Sequence, residues 1–126
     1  MTPFETVFLA HLLGDWVLQT EWQALGKQDD WQALWSHVLI YHCIVLSALW
    51  VHYGFSNPRI YVAIVPLALS HAFLDRRWPV IRLMRMLRVI RKRDPEFWLV
   101  LTVDQSLHLV FLAMAITYIA SGAGAP

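Results

Sequence analysis

His11-Leu-Leu-Gly-Asp15-Trp-Val-Leu-Gln19 places a histidine, an acid and an amide at i, i+4 and i+8 of an otherwise apolar run. On an α-helix the three fall along one stripe, each step turning about 40° past a full turn and rising about 6 Å. The theme recurs elsewhere in the chain. His71-Ala-Phe-Leu-Asp75 has the same spacing, Asp104-Gln-Ser-Leu-His108 reverses it, and His37 lies inside a long uncharged segment. Groups of this kind are tolerated in apolar surroundings only when they are paired.

The rest of the chain is greasy. Its 126 residues, one domain by length, are 58% hydrophobic and 15% charged, with a mean hydropathy of +0.48. Soluble chains average nearer a quarter charged. The predicted fold is an all-α membrane protein, a bundle of about four transmembrane helices plus one basic interfacial amphipathic helix. The spans are expected over about 4–20, 31–55, 59–75 and 97–120, the first being short for a crossing that needs roughly 17–25 residues. Between the first two lies a polar connection, 21–30, with a glycine break and Asp29 or Asp30 to cap the next helix. Gly54-Phe-Ser-Asn-Pro58 reads as a turn, and Pro66 as a kink within the third span. The last residues, Ser121 to Pro126, should fray. No cleavable signal peptide is expected, because the start lacks a positive region and a cleavage site.

Charge is unevenly placed. Eight of the ten Lys and Arg residues fall between Arg76 and Arg93. Arg82, Arg85, Arg88 and Arg91 recur every three residues beside a stripe of Ile81, Met84, Leu87 and Ile90, which predicts an interfacial helix over about 78–93. Those arginines are candidates for anionic lipid headgroups, and the apolar stripe favours membrane over nucleic acid. By the positive-inside rule the 76–96 connection is cytoplasmic. Seven tryptophans cluster at segment ends as an interfacial belt would. The single cysteine, Cys43, excludes an internal disulfide or a cysteine-rich zinc cluster and reads as a small buried hydrophobe.

An acid near the bilayer centre costs roughly 2.5–3.5 kcal/mol on insertion scales. Asp15, Asp75 and Asp104 must therefore lie near the interface, face water, pair with arginine or bind a cation. The histidines favour the cation: imidazole with carboxylate suits zinc, manganese, iron or nickel, whereas calcium takes nearly all oxygen. The metal-ligand candidates are His11, Asp15, His71, Asp75, Asp104 and His108, with His37 a seventh, enough for two ions. Gln19 and Gln105 could orient those ligands. His42 stands five residues after His37, about 140° round the helix, so the two should not both face inward. His52, near a segment end, should be interfacial. Arg76 and Arg77 directly follow Asp75 and could neutralise it, which counts against that ligand. The competing readings are a hydrogen-bonded Asp–His network that holds the helices together, and a proton or ion pathway.

These motifs resemble one family, the bacterial and phage membrane proteins grouped as domain-of-unknown-function family 3307. The matching residues are His11-Leu-Leu-Gly-Asp15-Trp-Val-Leu-Gln19-Thr20 with Lys27 after it, His37, His71-x-x-x-Asp75 and Asp104-Gln105-x-x-His108, spread over nearly the whole chain. Trp16 stands where phenylalanine is expected, and the third connection is longer and richer in arginine. The resemblance implies a small multi-pass protein of the bacterial inner membrane with a polar His/Asp constellation, and no established activity. The function expected from these readings is a membrane metal-binding protein carrying a divalent ion (zinc, manganese or iron), in one form a hydrolase of a lipid-like or phosphorylated substrate. The alternatives are an accessory subunit packed against a larger membrane complex, or paired with its own copy, and a small ion- or proton-coupled transporter. No nucleotide or nucleophile motif is present.

Overall fold

The computed structural model describes residues 1–91 and 94–122, which are helical with no strand among them. The expected frayed tail from 123 onward, and the last two residues of the expected interfacial helix, lie outside the described residues.

Helix α1, Pro3–Leu12, opens on a capping box: the Thr2 hydroxyl accepts from the Glu5 amide and the Glu5 carboxylate accepts from the Thr2 amide. It does not run on as a straight α-helix to residue 20. From Leu13 to Val17 the backbone widens into a π-turn, closed by the Leu18 amide donating to the Leu13 carbonyl, five residues back, at 2.8 Å. Gly14 lies at the centre of that turn against α3. A Cβ there would stand 2.9 Å from the Tyr41 ring and 3.3 Å from the Tyr41 Cα, so only glycine lets the two backbones approach so closely.

The polar connection contains a short helix, α2 (Glu21–Gly26), begun by a second capping box between Thr20 and Gln23. Helix α3 spans Trp31–Tyr53, capped by the Asp30 carboxylate, and stops at Gly54, whose φ is 70°. Helix α4 spans Pro58–Asp75 behind an Asn57 cap and keeps Pro66 within it. Helix α6, Phe97–Ala120, has the bounds expected. Among the described residues, α3 and α6, of 23 and 24 residues, are the two helices long and apolar enough to cross a membrane, and they coincide with two of the four expected spans.

The packing closes a ring: α1 lies on α3, α3 on α4, α4 on α6, and α6 back on α1. One end of the bundle is filled by an apolar core that includes Val7, Tyr41, Leu49, Ile60 and Leu112. At the other end a smaller cluster of Leu74, Val80, Met84, Ile90 and Val100 pins helix α5 (Trp78–Met86) across α4 and α6. Between the two lies a layer of buried histidines and aspartates.

Helix α5 is shorter than the expected 78–93. After Met86 the chain turns out through Arg88, φ 58°, with the Val89 amide on the Met84 carbonyl and the Arg88 amide on the Arg85 carbonyl. This is a Schellman ending with arginine where glycine is usual. The helix also uses its apolar side differently from expectation. Val80 and Met84 are fully buried against the bundle, while Leu87 stays exposed. Arg82 and Arg85 lie on the helix and Arg88 and Arg91 beyond it, all four exposed.

A left-handed conformation costs a residue with a Cβ about 1–2 kcal/mol, and glycine's extra freedom when unfolded offsets part of that. Arg88→Gly should therefore raise the unfolding midpoint of the purified protein by the equivalent of about 0.5–1 kcal/mol. Arg88→Ala should leave it unchanged. Equal effects of the two variants would show that the side chain, not the backbone, sets the stability there.

Candidate metal centre

Four side chains from four places in the chain meet in the polar layer. His71 and Asp75 lie one turn apart on the last turns of α4, with His71 Nε2 3.1 Å from Asp75 Oδ2. His37 comes from the second turn of α3, and Asp15 from the π-turn. His37 Nε2 stands 3.1 Å from Asp15 Oδ1, 3.1 Å from His71 Nε2 and 3.2 Å from Asp75 Oδ2. All four residues are buried, none more than 5% exposed.

A proton count bears on what this cluster is. An imidazole nitrogen carries at most one hydrogen, so His37 Nε2 can satisfy only one of its three neighbours. Asp75 Oδ2, although close to two imidazoles, accepts no aligned hydrogen bond. The remaining lone pairs face one another in a buried space, which is unfavourable unless something positive lies between them. Tetrahedral ligands at 2.0–2.2 Å from a metal are about 3.3–3.6 Å apart. The measured separations run from 3.1 Å to the 3.9 Å between His71 Nε2 and Asp15 Oδ1. The four groups are thus placed to hold a metal ion.

A second group adjoins the first. Asp75, Asp104 and His108 each offer one ligand atom within 4.8 Å of the others. Asp75 belongs to both groups.

The surrounding hydrogen bonds have a forced direction. Carboxylates only accept, so the Gln105 amide nitrogen must face Asp15 Oδ2 at 2.7 Å and Asp104 Oδ2 at 3.2 Å. Its carbonyl oxygen then accepts from His11 Nε2 at 2.9 Å and from the Trp16 indole at 3.1 Å. With Nε2 protonated, His11 Nδ1 accepts from the Tyr41 hydroxyl at 2.9 Å. His11 therefore has both nitrogens engaged and stands behind the donor set, not in it. Gln105 grips the Asp15 carboxylate directly. Gln19 instead donates to the Asp15 main-chain carbonyl at 3.0 Å.

The balancing charge comes from an unexpected residue. Lys27 Nζ lies 3.0 Å from Asp75 Oδ1 and 3.3 Å from Asp15 Oδ1. Burial alone would lower the pKa of this ammonium, but the charges of Asp75 and Asp15 outweigh burial and raise it above 10.5. Arg76 and Arg77, which follow Asp75 in sequence, face elsewhere. Arg76 donates to the Gln28 carbonyl at 2.6 Å and lies 3.8 Å above the Trp31 ring, and Arg77 lies over Phe97. The sequence reading placed Lys27 in the first connection, between two helix ends, without assigning it to the site. It also passed over Tyr41, which stands one turn after His37 and packs its ring 4.0 Å from that of His71.

Two histidines fall outside the centre. Both His37 and His42 are buried, contrary to the helical-angle expectation. His42 avoids the cluster by donating Nδ1–H to the Val38 carbonyl at 2.8 Å and packing edge-on to His71. His52 bonds Thr6 at 2.7 Å and ties the end of α3 to α1. Cys43, expected to be buried, lies instead on the exposed side of α3.

A helical bundle built round a buried His/Asp cluster is the class that fold and site define. The chain belongs to the family described as "Protein of unknown function (DUF3307)", whose model matches residues 4–124. Comparison with curated proteins and with solved structures found no match.

Removing the ammonium tests the electrostatics. Lys27→Met leaves two buried carboxylates without their partner and should cost the metal-free protein about 3–5 kcal/mol in chemical unfolding with chelator present. Added zinc should restore more stability to the variant than to the parent. A variant as stable as the parent under chelation would contradict the charge balance described above.

Proposed function

We propose that this protein is an integral membrane metalloprotein. A divalent ion, zinc, manganese or iron, is held by Asp15, His37, His71 and Asp75. The observation that carries this reading is the convergence of four buried donor atoms with fewer protons than they need.

The outward faces of the bundle support a bilayer setting. Leu39 on α3, Val62 and Leu69 on α4, and Val110 and Met114 on α6 are each more than half exposed, although they are aliphatic or thioether side chains within the helices. In this reading α1 with its π-turn, α3, α4 and α6 are the four spans. The first pair covers only about 22 Å, less than the hydrocarbon thickness, so the Asp15 end stays at the interface. Exposed Arg82, Arg85, Arg88 and Arg91 lie at that same end, against anionic headgroups on the cytoplasmic face of the inner membrane.

Beside the metal centre a cleft of about 300 Å³ is lined by Asp15, Asp75, Asp104 and Gln105, and by Lys27, Arg77, Trp16 and Phe97. Cations and aromatic rings on the wall of an interfacial cleft suit a phosphorylated, lipid-like substrate: charge meets the phosphate and the rings meet the chain. The activity that fits is hydrolysis. The bound ion would lower the pKa of a water molecule and polarise the scissile group. Lys27 and Arg77 would bind and orient the anion. A histidine or aspartate of the cluster that does not bind an ion would take the proton from water. A purely structural Asp–His network suits an accessory subunit, but such a network would be expected to give Asp75 Oδ2 an aligned hydrogen bond, which its two imidazole neighbours do not make.

Metal analysis of the detergent-purified protein tests the reading. About one divalent ion per chain is expected, lost in Asp15→Asn and His71→Ala and retained in His42→Ala. Folded parent protein that takes up none of zinc, manganese or iron would overturn it.

A further inference from the structure

We infer that Asp75, Asp104 and His108 form a second divalent-cation site, bridged to the first through the Asp75 carboxylate, which fills only when a phosphate-type anion enters the cleft. The inference rests on the metal reading of the first site.

The Asp75 carboxylate is divided between the two groups. Its Oδ2 faces His37 and His71, whereas its Oδ1 lies 3.9 Å from His108 Nε2. The His108 ring is oriented for metal. Its Nδ1–H donates to the Asp104 main-chain carbonyl at 2.9 Å, which fixes the tautomer and leaves Nε2 as a lone pair. That nitrogen is buried in a residue only 3% exposed and makes no hydrogen bond. A buried acceptor with no donor, facing the Asp75 carboxylate, is what a cation ligand looks like before an ion binds. Asp104, at the head of the same turn of α6, supplies the third ligand and opens onto the cleft. Carboxylate-bridged pairs of ions about 3.5–4 Å apart recur in enzymes that transfer or hydrolyse phosphate.

Charge decides when the second ion can enter. Asp15, Asp75 and Asp104 carry three negative charges and Lys27 returns one, so a single divalent ion leaves the buried centre neutral. A second ion would add two positive charges with nothing to balance them. It would also meet the Lys27 ammonium, which already holds Asp75 Oδ1 at 3.0 Å. A phosphate monoester dianion in the cleft restores neutrality and draws Lys27 toward itself, freeing Oδ1 for the metal. Occupancy of the second site and binding of the anion are then linked: each raises the affinity for the other.

Equilibrium dialysis of the detergent-purified chain against manganese, with and without inorganic phosphate, measures this linkage. About one ion per chain is expected without phosphate and about two with it, the pair showing an exchange-coupled manganese resonance. A parallel arm replaces inorganic phosphate with phosphatidic acid in mixed micelles, which separates a free phosphate source from a lipid one. His108→Ala and the nearly isosteric Asp104→Asn should stay at one ion in every condition. A parent chain that remains at one ion with either anion overturns the inference and leaves the first site standing. Uptake of no ion at all would instead overturn the first site. A full second equivalent in both His108→Ala and Asp104→Asn would show that other groups bind it.

Discussion

Two carboxylates, Asp15 and Asp75, are buried to within 2% of complete exclusion from solvent and come from helices that are not neighbours in the chain. The rest of the structure answers that constraint. Removing an ion from water costs several kcal/mol even after relaxation, so each must be met by positive charge or hydrogen-bond donors. Lys27 meets both at once from a connection that would otherwise be solvent-facing. Gln105 holds Asp15 from α6, and His37 and His71 approach from α3 and α4. The four-helix ring is therefore tied together at its polar layer as much as by the apolar core beside it.

Local backbone choices follow from the same demand. A regular helix through residue 18 would leave its hydrogen-bond ladder intact, but the chain widens into a π-turn where Asp15 is needed, and places Gly14 where the backbone must touch Tyr41. Wider turns of this kind recur at functional sites because they re-aim a side chain without ending the helix. Helix α4 ends at Asp75 itself, which brings the acid to the mouth of the cleft. The outward hydrogen-bond chain, from Tyr41 through His11 and Gln105 to Asp15, then holds the carboxylate in one orientation. A ligand set on three separate elements needs such support to keep its geometry.

Much of this was readable in the residues alone. Spacing of four between His71 and Asp75, and between Asp104 and His108, places each pair on one helix face, and the helix ends at Asp30, Gly54 and Pro58 follow from ordinary cap and turn chemistry. What periodicity could not reach depended on contacts between elements. His11 has the same spacing to Asp15 as His71 has to Asp75, yet it hydrogen-bonds to Tyr41 and Gln105 behind the cluster. Nothing in the angle between positions 11 and 15 distinguishes those outcomes. His42 is buried because helices pack on more than one side of α3, so a single inward stripe was too simple a picture. Lys27 stood out only among the residues that carry the family resemblance, because a connection has no periodicity to assign it to the site, and Arg76 and Arg77 were the nearer cations in sequence but not in space. The arginine-rich helix ends early at Arg88, in a backbone conformation that no arginine pattern announces.

X-ray absorption at the zinc edge of the reconstituted protein addresses the central claim most directly, because it reads the atoms around the ion. The account predicts a four-coordinate shell of about two imidazole nitrogens and two carboxylate oxygens at 2.0–2.2 Å, with the multiple-scattering signature of histidine. A shell of oxygen alone, or one containing sulfur from Cys43, would contradict it.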